Sequence, residues 1–263
     1  MIHSQPFTIL LFHSVGRPHE AQFLPPGLNC PPDFFEDTLQ LLREEAPIVP
    51  LRQIALQTAP EHTVALTFDD GFRDNFTAVW PLLQKHGAPA TLFVAADAVG
   101  ASALLPIHGF YYLKQHKRFA PPPDLDIDSP ARRQFVDGFC RTHGVEIPPL
   151  GGKLYVSWDE LRAMADGGVE IGAHTCSHSW LAALSADEQR REILGSKQVL
   201  EEKLGRAVTS FAYPYGYPHS FDASAAAIVA GNFESAVLSV SEHGGAFDPQ
   251  RLSRWNIASF YEP

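Results

Sequence analysis

Short apolar runs alternate with helix-like segments along most of this chain, and this alternation limits the possible folds more than any other feature. Seven runs have the length of buried strands: 8–12, 64–68, 90–95, 169–173, 208–213, 234–238 and 255–259. Five segments between them carry apolar residues at intervals of three and four, as covering helices do: 33–45, 75–86, 158–165, 186–204 and 222–229. Strands that alternate with helices predict a parallel sheet, either open and doubly wound or closed into a barrel.

The segment 101–154 breaks this rhythm. It contains three consecutive prolines at 121–123 and two more at 148–149. We expect an inserted excursion, partly helical around 131–140, within a single domain that spans residues 1–263.

Two helix starts are marked by local signals. Ser157 with Glu160, and Ser185 with Glu188, have the spacing of a capping box, in which serine and glutamate satisfy each other's backbone N–H groups. The spacing therefore predicts helices that begin directly after both serines.

The charge balance argues against one broad class of partner. The chain has 263 residues, and 20 Lys+Arg against 30 Asp+Glu give a formal net charge of −10. Binding along a phosphate backbone needs a surplus of basic side chains, so we expect no nucleic acid partner.

The apolar stretch 8–12 is too short for a signal peptide or a membrane span. Three cysteines in a chain of this length predict no disulfide framework. The expectation is a cytoplasmic protein without an integral membrane segment.

Two adjacent carboxylates, Asp69 and Asp70, follow the apolar run 64–68. On a regular strand their side chains would face opposite sides, so both can serve one site only if the chain turns there. Gly71 permits such a turn. The alternative is that one aspartate caps the following helix while the other is solvated.

Two histidines, His174 and His178, follow the run 169–173. If the chain enters a helical turn there, both rings project from one face and can hold one metal ion. Cys176 lies between them and is also a potential zinc ligand. On a helical turn it would point away from the shared face, so we expect it to be a small packing residue.

Two further segments follow predicted strands. The loop 211–216 alternates aromatic residues with proline and glycine, and it is either a packed corner or a pocket wall with backbone N–H groups aimed at a developing oxyanion. His13 follows the first run and is either structural or functional. All four sets lie at the carboxyl ends of predicted parallel strands, where such folds build their sites. Together they form a complete set for metal-assisted hydrolysis.

These motifs resemble those of the polysaccharide deacetylase family, the NodB-homology carbohydrate esterases of family 4. Residues 67–71 match its Thr-Phe-Asp-Asp-Gly motif, 174–178 match its His-Ser/Thr-x-x-His motif, and 211–216 match its third motif. The resemblance spans roughly residues 9–257. It implies a distorted seven-stranded (β/α) barrel, which agrees with the seven apolar runs.

The resemblance also implies roles for individual residues. Asp69 would be the general base, and Asp70, His174 and His178 would hold one divalent metal ion. Zn²⁺ is the foremost expectation, with Co²⁺ and Ni²⁺ as alternatives. Tyr213 would supply a backbone oxyanion donor.

The sequence departs from the family pattern at two places. Ala212 stands where the third motif usually has an arginine that orients the base, so Arg254 is expected to substitute, with a surface ion pair as the alternative. No C-terminal Leu-x-His motif is evident, and His243 precedes two glycines in a segment typical of a loop. The stretch 11–13 resembles the branches that carry the general-acid histidine after the first strand, as the biofilm-polysaccharide deacetylases do. His13 is therefore the expected general acid.

The function implied by this resemblance is removal of the N-acetyl group from an N-acetylated amino sugar in a glycan or glycoconjugate precursor, with release of acetate. Two alternatives stay open at this point. One is a related hydrolase of a non-sugar amide, and the other is a carbohydrate-binding relative without turnover.

Overall fold

The computed structural model describes residues 6–16, 23–25, 27–116, 132–240 and 246–257. Its centre is one curled, parallel seven-stranded sheet with the order β8-β7-β6-β5-β4-β1-β9. The strands of this sheet are β1 (Phe7–Phe12), β4 (Thr63–Phe68), β5 (Thr91–Val94), β6 (Glu170–Ala173), β7 (Ser210–Ala212), β8 (Ser235–Val237) and β9 (Trp255–Asn256). Two short strands, β2 (Ser14–Val15) and β3 (Asn29–Cys30), form a separate pair. All seven predicted runs therefore contribute a strand to the sheet, and the distorted barrel type is confirmed.

Helices connect the strands along the chain and pack against the sheet. They are α1 (Pro32–Glu45), α2 (Leu51–Ala55), α3 (Trp80–His86), α4 (Pro106–His116), α5 (Arg132–His143), α6 (Gly151–Leu154), α7 (Trp158–Asp166), α8 (Ala186–Leu204) and α9 (Ala223–Ala230). A 3₁₀ turn spans Leu181–Ala183. Both predicted capping boxes are present, at the starts of α7 and α8.

One predicted helix has a different beginning. The segment predicted as a helix over 75–86 starts as a π-helical turn, Asn75–Val79, and becomes α-helical only at Trp80. Pro81 explains the change, because it has no N–H to donate and its ring crowds the carbonyl four residues earlier.

Most residues of the central strands are apolar because the sheet is buried on both faces. Every residue of β4 is buried, and only its two threonines, Thr63 and Thr67, are polar, so its sequence does not alternate between apolar and polar residues. Strand β4 pairs with β1 over six residues, from Phe7 opposite Thr63 to Phe12 opposite Phe68. The two strands therefore end side by side, and the residues that follow β1 and β4 lie at the same edge of the sheet.

The segment before β9 runs beside β8. Leu238 N–H donates to the Leu252 carbonyl, and Leu252 N–H donates to the Ala236 carbonyl, before β9 pairs with β1. As a result, Arg254 lies at the edge of the sheet where the parallel strands have their carboxyl ends, which is called the carboxyl edge below.

The inserted segment packs over the same edge. Its helix α4 is buried along most of its length and shares an apolar cluster with Phe72 and Tyr155. His243, residues 117–131 of the insertion and the end of the run 255–259 lie outside the described residues. Among the helices that the structure describes, none is long and apolar enough to cross a membrane.

Candidate active site

The two carboxylates that follow β4 face the same pocket. Asp70 has a φ of 73° and Gly71 a φ of 75°, so the chain turns at the second aspartate itself and not only at the glycine. A side chain at Gly71 would also place its Cβ 3.0 Å from Val94 Cγ1. Asp69 and Asp70 are both buried and both line the pocket, so neither one is solvated.

His174 and His178 converge on Asp70, although the local geometry differs from the predicted helical turn. Thr175 and His178 have φ values of 63° and 56°, in the left-handed region, so the segment is an irregular turn and that part of the prediction was wrong. His174 Nε2 lies 3.6 Å from Asp70 Oδ1, and His178 Nε2 lies 3.3 Å from the same oxygen.

These three side chains fit a divalent ion. Their ligand atoms all lie within 4.8 Å of one another. His174 Nδ1 donates to the Ala212 carbonyl at 2.7 Å, so in the neutral ring the lone pair is on Nε2, which faces Asp70. Asp70 Oδ1 is buried and accepts no hydrogen bond within the described part of the chain. A carboxylate oxygen and imidazole nitrogens gathered in this way are typical zinc donors. Cys176 is outside this group, as expected.

Asp69 is held by Arg254. Arg254 Nη1 donates to Asp69 Oδ1 at 2.8 Å and Nη2 donates to Oδ2 at 2.6 Å, and the guanidinium also donates to Thr67 and to the Leu238 carbonyl. The arginine side chain is fully buried, so the alternative of a surface ion pair was wrong. Burial, the largest single effect, would raise the pKa of Asp69. The charge and hydrogen bonds of Arg254, together with the nearby His174 and His13, outweigh burial and hold the pKa below its ordinary value.

His13 lines the same pocket as Asp69 and Asp70. It follows β1 and is half-buried. Its backbone is fixed by Asn75, whose side-chain amide donates to the His13 carbonyl at 2.8 Å. Burial lowers the pKa of His13 below its ordinary value, even though the two carboxylates act in the opposite direction.

The oxyanion role expected for Tyr213 is contradicted by the geometry. Tyr213 N–H donates to the Val237 carbonyl at 3.2 Å, as part of the sheet edge. Its ring stacks on Phe221 with centroids 3.9 Å apart, inside the core. The tyrosine of this loop that lines the pocket is Tyr215, whose ring lies 4.8 Å from that of His178.

Other pocket residues were missed because they do not follow predicted strands. Ile107, His108 and Tyr111 come from the insertion helix α4. Tyr217 comes from the loop after the third motif and also lines the pocket. The apolar spacing within α4 predicts a buried face, but no sequence signal indicates that this face covers the carboxyl edge of the sheet.

Comparison with known proteins relates this chain to one family. A family model described as polysaccharide deacetylase matches residues 56–230. A curated Bacillus subtilis (strain 168) protein, YxkH, whose name places it among the polysaccharide deacetylases, is 22% identical over 214 residues. The match covers 79% of this chain and 56% of YxkH, so the chain spans little more than half the length of that relative.

Three solved structures are similar in fold. The Streptococcus pyogenes deacetylase PplD in complex with acetate has a TM-score of 0.66 at 20% identity, and the match covers 94% of this chain and 90% of that one. IcaB from Ammonifex degensii has a TM-score of 0.65 at 18% identity, with 95% of this chain and 91% of that one covered. A de-N-acetylase from Aggregatibacter actinomycetemcomitans has a TM-score of 0.67 at 15% identity, with 97% of this chain and 96% of that one covered. At these identities the similarity concerns the fold.

The matched range contains Asp69, Asp70, His174 and His178, whereas His13 and Arg254 lie outside it. The match covers more than half of the 263 residues and includes both strand ends that form the Asp-His-His cluster. On this evidence the chain belongs to the polysaccharide deacetylase family.

Proposed function

We propose that this protein is a metal-dependent hydrolase that removes the N-acetyl group from an N-acetylated amino sugar and releases acetate and a free amine. One observation supports the proposal most directly. The cluster of Asp70, His174 and His178 lies beside a second carboxylate, Asp69, which Arg254 holds in a fixed orientation. A group that can bind a cation and a separate proton acceptor therefore share one pocket.

Asp70 Oδ1 and the Nε2 atoms of His174 and His178 would hold the ion, for which Zn²⁺ is the first candidate and Co²⁺ or Ni²⁺ are alternatives. When bound, such an ion polarises the amide carbonyl and makes water more acidic. The other ring nitrogen of His174, Nδ1, donates to the Ala212 carbonyl, so the ring is oriented even without an ion.

Asp69 acts as the general base in this proposal. It accepts a proton from the water that adds to the amide carbon, and it is suited to this because Arg254 keeps it ionised and fixes both of its oxygens. His13 in its protonated form then gives a proton to the amide nitrogen as the C–N bond breaks. The role of Tyr213 as oxyanion donor is not part of the proposal, because its N–H is engaged in the sheet.

The pocket wall supports a sugar substrate. Tyr111, Tyr215 and Tyr217 line it, and the ring of Trp180 lies 4.8 Å from that of Tyr215. Aromatic rings with a few convergent polar groups are typical of small-molecule sites, and they present apolar faces against which the C–H face of a sugar ring can pack.

The experiment that tests this function is acetate release from a panel of N-acetylated sugars and oligosaccharides, with and without a chelator. We expect release that stops on chelation and returns when Zn²⁺ is added back. Release from simple non-sugar amides alone would contradict the sugar substrate. Binding of the sugars without any release would contradict turnover.

A further inference from the structure

We propose that His108 is a positioning residue of the candidate metal centre, which directs one oxygen of Asp70 toward the two histidine ligands by facing the other oxygen with its own ring N–H. This inference rests on the metal site of the proposed function. It concerns a residue of the insertion helix α4 that neither strand ends nor family motifs pointed to.

The position of His108 is fixed by packing. Its side chain is almost completely buried, and its ring lies 5.0 Å from that of Phe72 and 5.6 Å from that of Tyr155 between centroids. His108 Nε2 lies 3.4 Å from Asp70 Oδ2, whereas His174 and His178 approach Oδ1. The two oxygens of Asp70 therefore face different partners.

A chain of hydrogen bonds determines which ring nitrogen of His108 carries the proton. Leu105 N–H donates to the Tyr155 hydroxyl oxygen at 3.0 Å, and that oxygen lies 2.7 Å from His108 Nδ1. Tyr155 is buried, so its hydroxyl proton needs an acceptor. In the part of the chain that the structure describes, the Tyr155 hydroxyl has two hydrogen-bond partners, Leu105 N–H and His108 Nδ1. Leu105 N–H can only donate, so His108 Nδ1 is the acceptor of the hydroxyl proton.

The neutral His108 ring consequently carries its proton on Nε2. In this tautomer Nε2 carries an N–H group 3.4 Å from Asp70 Oδ2, a close contact that does not meet hydrogen-bond geometry among the described residues, and Nε2 has no lone pair for a metal ion. His108 is thus placed to orient a ligand, and it is not itself a ligand through that atom. Groups that orient metal ligands in this way typically account for about 10–100-fold in metal affinity.

The first test measures the dissociation constant for Zn²⁺ on the full chain, by competition with a chromophoric chelator. We expect His108→Ala to weaken binding by about 10–100-fold. Tyr155→Phe should weaken binding in the wild-type background, because it removes the hydroxyl that fixes the tautomer. It should have no further effect in the His108→Ala background, because Tyr155 acts only through His108.

A matched control separates orientation from packing. Phe72→Leu removes the ring that packs on His108 but leaves the Leu105, Tyr155 and His108 hydrogen bonds in place. We expect this variant to lower the unfolding temperature while the Zn²⁺ dissociation constant stays close to that of the wild type. Equal losses of affinity in Phe72→Leu and His108→Ala would overturn the proposal in favour of packing alone.

The second test reads the tautomer directly and does not depend on activity. Long-range ¹H–¹⁵N correlation spectra of the 263-residue chain, with and without Zn²⁺, identify the protonated ring nitrogen of each histidine, and the His108→Gln variant assigns the signal. We expect Nε2 of His108 to be protonated. A proton on Nδ1 would overturn the proposal.

The failures of the two proposals are distinguishable. If the wild-type protein binds no divalent ion, the metal site of the proposed function fails. If the wild-type protein binds Zn²⁺ and releases acetate, and His108→Ala binds Zn²⁺ as tightly as the wild type, only the role of His108 fails.

Discussion

Arg254 and Asp69 form two parallel hydrogen bonds across 185 positions of sequence, and both side chains are buried. The arginine comes from the segment that follows β8, and the aspartate comes from the end of β4. Ala212, where the family pattern usually has its arginine, is fully buried and belongs to the same apolar cluster as Phe93. The Arg254 guanidinium carbon lies 5.6 Å from the centroid of the same Phe93 ring. The family pattern usually places the arginine that orients the base in the third motif, whereas in this chain Arg254, from the segment before β9, contacts Asp69.

Replacing this arginine should destabilise the fold as well as reduce activity. Arg254→Met leaves the buried Asp69 charge without its partner, which typically costs about 3–5 kcal/mol of unfolding free energy. The measurement is urea unfolding followed by circular dichroism. The exposed pair of Arg52 and Glu234 gives a matched control, because Arg52→Met removes a similar bidentate contact at the surface and should change stability little. Similar losses in the two variants would contradict a special contribution from burial.

Removing a histidine of the metal cluster should remove the ion. His174→Ala and His178→Ala each delete one of three donor groups, so we expect loss of bound Zn²⁺ after dialysis and loss of acetate release, as chelation of the wild type should also cause. Elemental analysis of the purified variants measures this. His86→Ala is the control, since His86 contacts Glu36 and does not line the pocket, so this variant should leave the metal content unchanged. Full metal occupancy in both cluster variants would exclude this site.

Asp69→Asn should separate metal binding from chemistry. An amide cannot accept the proton of the attacking water, so we expect a fall in kcat of about 10²–10⁴-fold. The Zn²⁺ content should be retained, because the ligand atoms belong to the neighbouring residue and to two histidines. Steady-state acetate release together with elemental analysis measures both quantities. Turnover at the wild-type rate would show that another group is the base.

The sequence predicts those parts of the site that follow strand ends. Asp69 and Asp70 follow β4, and His174 follows β6, so the parallel sheet alone brings them to one edge. Their convergence holds even though the local turn at His178 is left-handed rather than helical. Position at an edge depends on the sheet, which a pattern of apolar runs predicts well, and not on the exact backbone angles of the turn.

The features that the sequence does not determine depend on how loops return to the sheet. Tyr213 was expected to present its N–H to the pocket, but this N–H, on the residue directly after β7, donates to the Val237 carbonyl of the neighbouring strand β8. His108 lies on an inserted helix whose docking over the edge results from tertiary packing with Phe72 and Tyr155. Neither outcome has a local signal in the residues concerned.

The last prediction concerns His13. If His13 is the general acid, His13→Ala should lower kcat by about 10²–10⁴-fold while the metal content is unchanged. The wild-type rate should fall as the pH rises through the pKa of His13, because only the protonated ring can give a proton to the leaving amine. Burial lowers that pKa, so the alkaline limb should lie at lower pH than the value of about 6.5 for an ordinary histidine.

The profile of kcat against pH for both proteins measures this limb. It should vanish or move in His13→Ala, because the group that it reports is gone. His86→Ala again serves as control and should keep the wild-type profile, since its ring contacts Glu36 and lies outside the pocket. A His13→Ala enzyme with normal kcat and an unchanged alkaline limb would contradict the acid role. His13 would then be a structural residue that closes the first strand through its backbone contact with Asn75, and His243 would be the next histidine to test.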